Sequence, residues 1–206
     1  MRRKSYDKSV FINCPFDSRY QPLFRAAVFT VLRSGYYARS AIEEADASEI
    51  RLNKIVRIIT ECRYSIHDLS RTELDAGFPR FNMPFELGVF LGAKFFGADE
   101  HQKKGCLIFE RKPFSYNRFI SDIKGQDIDA HNNQPRIIVH KIRDWLATNS
   151  RGRALDGGAA LWREYQRFGA WLPAKCRSAR LRVHDLTFHD YVQLVYEWFE
   201  RNGSHR

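Results

Sequence analysis

The chain has 206 residues, a hydrophobic fraction of 44%, a charged fraction of 28% and a formal net charge of +10. Its length suits one domain of ordinary size with an appendage, and its composition is typical of a soluble globular protein. No apolar run approaches the roughly 20 residues that cross a bilayer and the four cysteines include no CxxC pair, so we expect a cytoplasmic protein without a disulfide framework or a zinc site.

The first predicted element is a short buried strand over residues 9–13. It is an apolar run that ends in the turn-forming sequence Asn-Cys-Pro-Phe-Asp. Asn13 and Asp17 therefore lie in the loop at its carboxyl edge. Their side chains either form the turn itself or hydrogen-bond a ribose hydroxyl or a base edge of a ligand.

The next segments alternate between helix and strand. Apolar residues at helical spacing predict a helix over residues 20–33, and a second strand is expected over residues 36–40. Ser48 is expected to cap a further helix that runs to about Arg63. A small acidic cluster between them either binds a cation or a ligand amide or is an exposed loop; it contains Glu43, Glu44 and Asp46.

Residues 64–69 predict a third buried strand, with Asp68 and Ser70 at its carboxyl end. The loop of about a dozen residues that follows is longer than most strand-to-helix connections, which suggests a lid over a substrate. Arg71 and Arg80 in this loop are candidates to meet a phosphate, because guanidinium groups bind phosphate oxygens in pairs.

A helix is then expected to begin near Asn82, which we predict to be its N-cap, with Pro84 in the first turn. Glu86 would also fall in the first turn, where the helix dipole keeps a carboxylate ionised. Asp68 and Glu86 are thus predicted at the carboxyl edge of a strand and the amino end of the next helix. Open α/β sheets bind their ligands at that edge.

The same helix carries Gly88 and Gly92, four residues apart, which we expect to allow close packing on the sheet. A fourth strand is predicted over residues 106–110. The polar segment that ends at His131 is either a fifth, edge strand or a flap over the site. Asp127 and His131 within it are either substrate contacts or parts of a surface loop.

Alternation of strands and helices predicts an α/β fold, a flavodoxin-like parallel sheet of about five strands flanked by helices. We assign residues 1–148 to this domain and residues 149–206 to a C-terminal helical appendage. The appendage shows two amphipathic patterns, about residues 159–172 and 188–201. These helices are expected to dock on the core or to pair with a second subunit or another protein.

Two motifs resemble a known family. Asp68-Leu69-Ser70 followed by Phe85-Glu86-Leu87-Gly88, together with the opening strand and turn at residues 10–17, is similar to the nucleoside 2-deoxyribosyltransferase family. That family is related to TIR-type NAD-cleaving domains in its fold and its helix-borne glutamate. The resemblance covers roughly residues 9–111 and implies cleavage of an N-glycosidic bond, with self-association to complete the site.

The candidate site follows from these motifs. A carboxylate near the anomeric carbon stabilises or attacks the oxocarbenium-like state of a breaking glycosidic bond, and no metal is needed for this. Glu86 matches the family's catalytic glutamate, and Asp68 would hold the leaving base or orient a ribose hydroxyl. The catalytic candidates are Glu86 and Asp68, and the substrate-binding candidates are Asn13, Phe16, Asp17, Ser70, Arg71 and Asn82.

The leading hypothesis is therefore an N-ribosyl hydrolase or transferase acting on a nucleotide, with NAD as the first candidate and no separate cofactor. The basic surface favours a phosphorylated substrate. The family's acidic base-binding residue is missing from residues 78–82, which supports a second hypothesis, a nucleotide-sensing or interaction module without catalysis. Nucleic-acid binding is a third, less favoured alternative, and it predicts affinity that falls steeply with salt.

Overall fold

The computed structural model describes residues 6–46, 48–71, 80–150 and 154–203. Five parallel strands form one sheet in the order β2-β1-β3-β4-β5. The strands are β1 (Ser9–Asn13), β2 (Tyr37–Arg39), β3 (Tyr64–Asp68), β4 (Gly105–Glu110) and β5 (Ile128–Ala130). This is the flavodoxin-like order, so the predicted α/β fold is confirmed.

The helices of the described residues are α1 (Gln21–Arg33), α2 (Arg51–Thr60), α3 (Asn82–Phe96), α4 (Asp99–Gln102), α5 (Pro135–Asn149), α6 (Gly158–Ser178) and α7 (Phe188–Arg201). They cover the two faces of the sheet unequally. Helices α1 and α5 lie on one face, and α6 and α7 pack outside them, so that all four share one apolar core with Val10 and Ile12. Helices α2 and α3 cover the other face as a single layer, against Phe11 and Ile108.

The C-terminal helices therefore belong to the main core. Leu161 and Phe168 of α6 and Val195 and Phe199 of α7 are buried in the same cluster as the inner face of α1. Phe29 of α1 stacks against the Phe168 ring with a centroid separation of 5.2 Å. The apolar faces that the sequence offered for docking or pairing are thus covered within the chain. None of the helices in the described ranges is both long and apolar enough to cross a membrane.

Two of the predicted helix caps are wrong. Helix α3 has Phe81 as its N-cap, and Asn82 is the first helical residue without a side-chain capping bond. Helix α2 has Ile50 as its N-cap, because the Ser48 hydroxyl is instead bound to the Asp46 carboxylate at 2.6 Å. Asp46 thus competes successfully for the hydroxyl that was expected to cap the helix.

The predicted packing of Gly88 and Gly92 on the sheet is also wrong. Helix α3 buries Met83, Glu86, Leu87 and Phe90, and this places both glycines on the opposite face. No atom outside the local backbone lies within 4 Å of the position that a Cβ would take at either glycine. The residues that approach the sheet are therefore large, and the small ones point outwards.

For the segment before His131 the sequence left two alternatives, an edge strand or a flap. The structure has the edge strand, β5, which pairs with β4 in parallel. After the end of β5 comes His131, and Asn132 and Asn133 follow it with φ of 50° and 56°. Asparagine tolerates this left-handed conformation better than most residues. The turn directs His131 inwards, where it is completely buried and does not belong to a surface loop.

A cleft at the carboxyl edge of the sheet

A cleft of about 400 Å³ opens between the end of β1 and the beginning of α3. It lies at the β1–β3 junction, where the strand order of a flavodoxin-like sheet reverses and ligands bind. Its lining residues come from the loop after β1, from the start of α2 and from the start of α3. They are Asn13, Cys14, Pro15, Phe16, Asp17, Arg51, Arg80, Asn82, Met83 and Glu86.

Asn13 joins three elements at the floor of this cleft. Its amide nitrogen lies 2.9 Å from Nδ1 of His67 on β3 and 2.9 Å from the carbonyl oxygen of Met83 on α3. Since a carbonyl only accepts, the Nδ2 group of Asn13 must point this way and donate both of its protons. Asn13 therefore fixes the first turn of α3 to the sheet and leaves only its carbonyl oxygen for a ligand.

Glu86 is the fifth residue of α3, so the prediction that it lies in the first turn is wrong. Its side chain lines the cleft although the residue is only 5% exposed. Burial raises the pKa of Glu86 to about 7, against the opposing charge of Arg51. Desolvation outweighs the helix dipole here, so the carboxyl group is only partly ionised at neutral pH.

No described residue forms a hydrogen bond or ion pair with Glu86. A buried carboxyl group that is not engaged in this way is costly for the folded protein. Strongly shifted groups of this kind are concentrated at functional sites, because proton transfer near pH 7 needs a matching pKa. Glu86 is therefore the group in the cleft that is best suited to chemistry.

Cationic groups surround the outer part of the cleft. Arg71 donates to Asp17 with an Nη2–Oδ1 distance of 2.9 Å, and Arg80 approaches the same carboxylate at 4.0 Å. Burial alone would raise the pKa of Asp17, but the hydrogen bond and charge of Arg71 keep it below its ordinary value. Asp17 is thus an ionised anchor for the arginines, while Arg51 and Arg80 themselves line the cleft.

Phe16 and Cys14 complete the cleft wall. The Phe16 ring meets Phe24 of α1 edge-to-face with a centroid separation of 5.6 Å, which holds it in place. Burial raises the pKa of the Cys14 thiol well above its ordinary value, and the carboxylates of Asp68, Glu86 and Asp17 add to this rise. Cys14 is consequently a neutral thiol at pH 7 and lacks the thiolate that a nucleophile requires.

Asp68 lies below the cleft and is not among its lining residues. It is 1% exposed and accepts hydrogen bonds from the Tyr20 hydroxyl at 2.5 Å and from the backbone N–H of Ser70 at 2.8 Å. Nε2 of His131 lies 3.0 Å from its Oδ2 atom. Nδ1 of His131 accepts from the backbone N–H of Asn133, so the ring proton is on Nε2. Asp68 therefore connects β3 to α1 and to the end of β5.

Ser70, Asp68 and His131 do not form a nucleophilic triad. The Ser70 hydroxyl lies 2.7 Å from Nε2 of His131, the same nitrogen that contacts Asp68. A catalytic triad needs the serine and the carboxylate on opposite ring nitrogens, so that the histidine can accept the hydroxyl proton. The three residues instead make a buried polar network that holds the carboxyl edge of the sheet together.

The structure thus brings five predicted site residues into one cleft and separates three from it. Asn13, Phe16, Asp17, Asn82 and Glu86 line the cleft; Asp68, Ser70 and Arg71 do not. Residues 72–79, most of the predicted lid, lie outside the described residues.

Sequence reasoning missed Arg51 and Cys14. Arg51 is the first residue of α2, a helix whose start was predicted too early in the chain. Cys14 lines the cleft but lies in a sequence that was interpreted as a turn.

The acidic cluster does not form a cation site in the described residues. Glu43 is paired with Arg39, and Glu44 is paired with Arg57. Across the described residues, no group of three metal-ligating side chains is placed to hold an ion.

No protein-family model and no curated protein sequence matches the chain.

Proposed function

We propose that this protein cleaves the N-glycosidic bond of a nucleotide, with NAD as the leading candidate, and that Glu86 is the catalytic carboxylate. The observation that supports it most is a buried carboxyl group without a described partner and with a pKa raised to about 7, in a cleft at the sheet's switch point. A cleft of about 400 Å³ is within the size range of small-molecule sites.

The ionised form of Glu86 stabilises the positive charge that develops on the ribosyl ring as the bond to the base breaks. It does so either electrostatically or by attack on the anomeric carbon, which gives a covalent ribosyl-enzyme intermediate. The charge of Arg51 favours the ionised form, and so does the cationic ring itself. Water or an incoming base then accepts the ribosyl group, which distinguishes hydrolysis from transfer.

The absence of a second available acid among the described lining residues favours NAD over an ordinary nucleotide. Asp17 is held as a carboxylate by arginines, and Asp68 lies outside the cleft. Glycosidases that use two carboxyl groups protonate the leaving group with one of them. The nicotinamide of NAD already carries a positive charge and leaves as a neutral base without a proton, so one carboxylate suffices.

Two arginines in the cleft lining support a phosphorylated substrate. Arg51 and Arg80 flank Glu86 from the starts of α2 and α3, and guanidinium groups match phosphate oxygens in geometry and charge. The buried amide of Asn13 leaves a carbonyl oxygen that accepts from a ribose hydroxyl. Phe16 offers an aromatic surface for a base.

A second candidate is a nucleotide-binding module without turnover. It is favoured by one observation, the location of Asp68 below the cleft, where its carboxylate already binds the Tyr20 hydroxyl and the Ser70 N–H and lies beside His131. A site with only one available carboxyl group has less catalytic equipment than a two-carboxylate glycosidase. In this case the cleft would bind the nucleotide and the protein would respond through a partner.

One experiment separates the candidates. The purified protein, Glu86→Gln and the control Glu197→Gln are incubated with NAD, nucleoside monophosphates and deoxynucleosides, and released base is measured by chromatography. Glu197 is a partly exposed residue of α7 that pairs with Lys175, far from the cleft lining. Base release by the native protein and the control, with a loss of at least 100-fold in Glu86→Gln, supports the enzyme. Tight binding without release in all three proteins supports the binding module, and neither binding nor release contradicts both.

A further inference from the structure

We infer that α3 forms the contact between two copies of this chain, packed antiparallel across its exposed apolar face. This inference is independent of the proposed function, since it concerns the side of α3 that faces away from the cleft. Its residues are Phe81, Phe85, Gly88, Gly92, Phe95 and Phe96, which we call the α3 stripe.

The stripe is apolar without interruption. Its positions recur at spacings of four and three residues, which places them on one face of a helix. The four phenylalanines are between 55% and 91% exposed. Since the other face of α3 is buried on the sheet, the helix is apolar nearly all round, a pattern that is typical of helices covered on both sides.

The surrounding layer points to the same surface. The opposite face of the sheet is covered twice, by α1 and α5 and then by α6 and α7, whereas α2 and α3 have no second layer among the described residues. Of the ten large apolar side chains that are exposed in the described ranges, seven lie on or next to α2 and α3. Exposed apolar surface that is concentrated on one layer in this way marks an interaction site.

A second copy of the chain is the occupant that fits, because the stripe is self-complementary. Phe85, Gly88, Gly92 and Phe95 are placed symmetrically about Phe90. Two copies of α3 can pack antiparallel about a two-fold axis that crosses the helices at the height of residue 90. Gly88 of one copy then faces Gly92 of the other, and Phe85 faces Phe95. Isologous dimers have this property, in which each patch is matched by itself.

The glycines explain how two such helices approach. The space above both is open, because no atom outside the local backbone lies within 4 Å of a Cβ position there. Small residues four apart let helix backbones come close, and the flanking phenylalanines then fill the space on either side.

Charge favours the same arrangement. A chain with a net charge of +10 repels its own copies over most of its surface, and the stripe contains no charged residue.

The first test is the mass of the full chain over a range of concentrations, by analytical ultracentrifugation. We expect the native protein to have twice the mass of one chain. Phe95→Glu and Gly88→Leu should each weaken dimerisation at least tenfold. The control Phe119→Glu, an exposed aromatic outside α3, should remain dimeric.

Gly88→Leu is the sharper variant. Leucine has open space at this position in a single chain and is a better helix former than glycine, so the fold is retained. It also makes the surface more apolar, so a non-specific association would strengthen. A monomer in Gly88→Leu therefore indicates loss of close helix packing. A native protein with the mass of one chain at every concentration would overturn the inference, as would a dimer that both stripe variants leave intact.

The direction of packing is tested by cross-linking with a short bis-maleimide. In the antiparallel register Phe85 faces Phe95 of the second copy, while the two copies of position 85 are about 15 Å apart along the axis. The double variant Phe85→Cys/Phe95→Cys should give a covalent dimer, and each single variant should give much less. Equal cross-linking in a single variant would contradict the antiparallel register.

Discussion

The amide nitrogen of Asn13 lies 2.9 Å from Nδ1 of His67, across adjacent strands of the sheet. Asn13 donates, so His67 must accept at Nδ1 and is the neutral, Nε2-protonated tautomer. Burial lowers the pKa of His67 to about 3. The same amide nitrogen donates to the Met83 carbonyl of α3, so the orientation of Asn13 that holds the first turn of α3 requires a histidine that stays uncharged.

We predict that His67 makes the protein acid-sensitive. The pKa in the folded state is below that of an unfolded histidine, so the unfolded chain binds the proton first, and stability falls as the pH drops from about 6.5 towards 3. The loss at pH 4.5 should be on the order of 2–3 kcal/mol. Chemical denaturation at pH 7 and 4.5 should show a smaller loss for His67→Gln, which keeps an acceptor. A loss equal to that of the exposed comparison variant His184→Gln would contradict this.

Glu86 should act on stability in the opposite sense. Its pKa is raised in the folded state, so stability from this group is present at low pH and is lost as the pH rises from about 4.5 through 7. We predict that Glu86→Gln is more stable than the native protein at pH 8, by up to about 3 kcal/mol, and gains little at pH 4. Denaturation midpoints of both proteins and of Glu197→Gln at the two pH values measure this. A gain that is equal at pH 4 and 8 would show that ionisation of Glu86 is not its source.

The sequence was sufficient for the sheet and for the location of the cleft. Strands such as β1 and β4 are short apolar runs bounded by turn residues, and the parallel order follows from alternation with helices. The same logic placed Asn13 and Glu86 near each other, because carboxyl ends of parallel strands meet at one edge. These inferences depend on local patterns that tertiary structure rarely changes.

The environments of Glu86 and Asp68 could not be predicted in this way. The helix dipole is a local property, whereas the burial that raises the pKa of Glu86 depends on residues that arrive from other parts of the chain. His131 reaches Asp68 only because β5 joins the sheet beside β4 and ends in a left-handed turn. The Asn132-Asn133 pair was the one signal for that turn in the sequence.

Arg51 should set the pH at which Glu86 ionises. Its positive charge lowers the pKa of Glu86, so Arg51→Gln should raise that pKa further and Arg51→Lys should largely restore it. Infrared difference titration of the carboxyl group follows this directly. If the ionised form is catalytic, the rate of base release should rise about tenfold per pH unit below the midpoint of the Glu86 titration. In Arg51→Gln the whole dependence of this rate on pH should shift to higher pH. An unchanged carboxyl titration in Arg51→Gln would contradict the prediction.

Arg80 should select phosphorylated substrates. It lines the cleft from the start of α3, and its side chain is about half exposed, so it can reach a phosphate at the rim. A charge-assisted hydrogen bond contributes about 1.5–3 kcal/mol, so Arg80→Gln should raise KM for NAD or a nucleoside monophosphate roughly ten- to a hundredfold with little change in kcat. The KM for an unphosphorylated deoxynucleoside should not change, and neither should any constant in the exposed control Arg118→Gln. A fall in kcat without a rise in KM would instead mean that Arg80 acts on Glu86 and not on the phosphate.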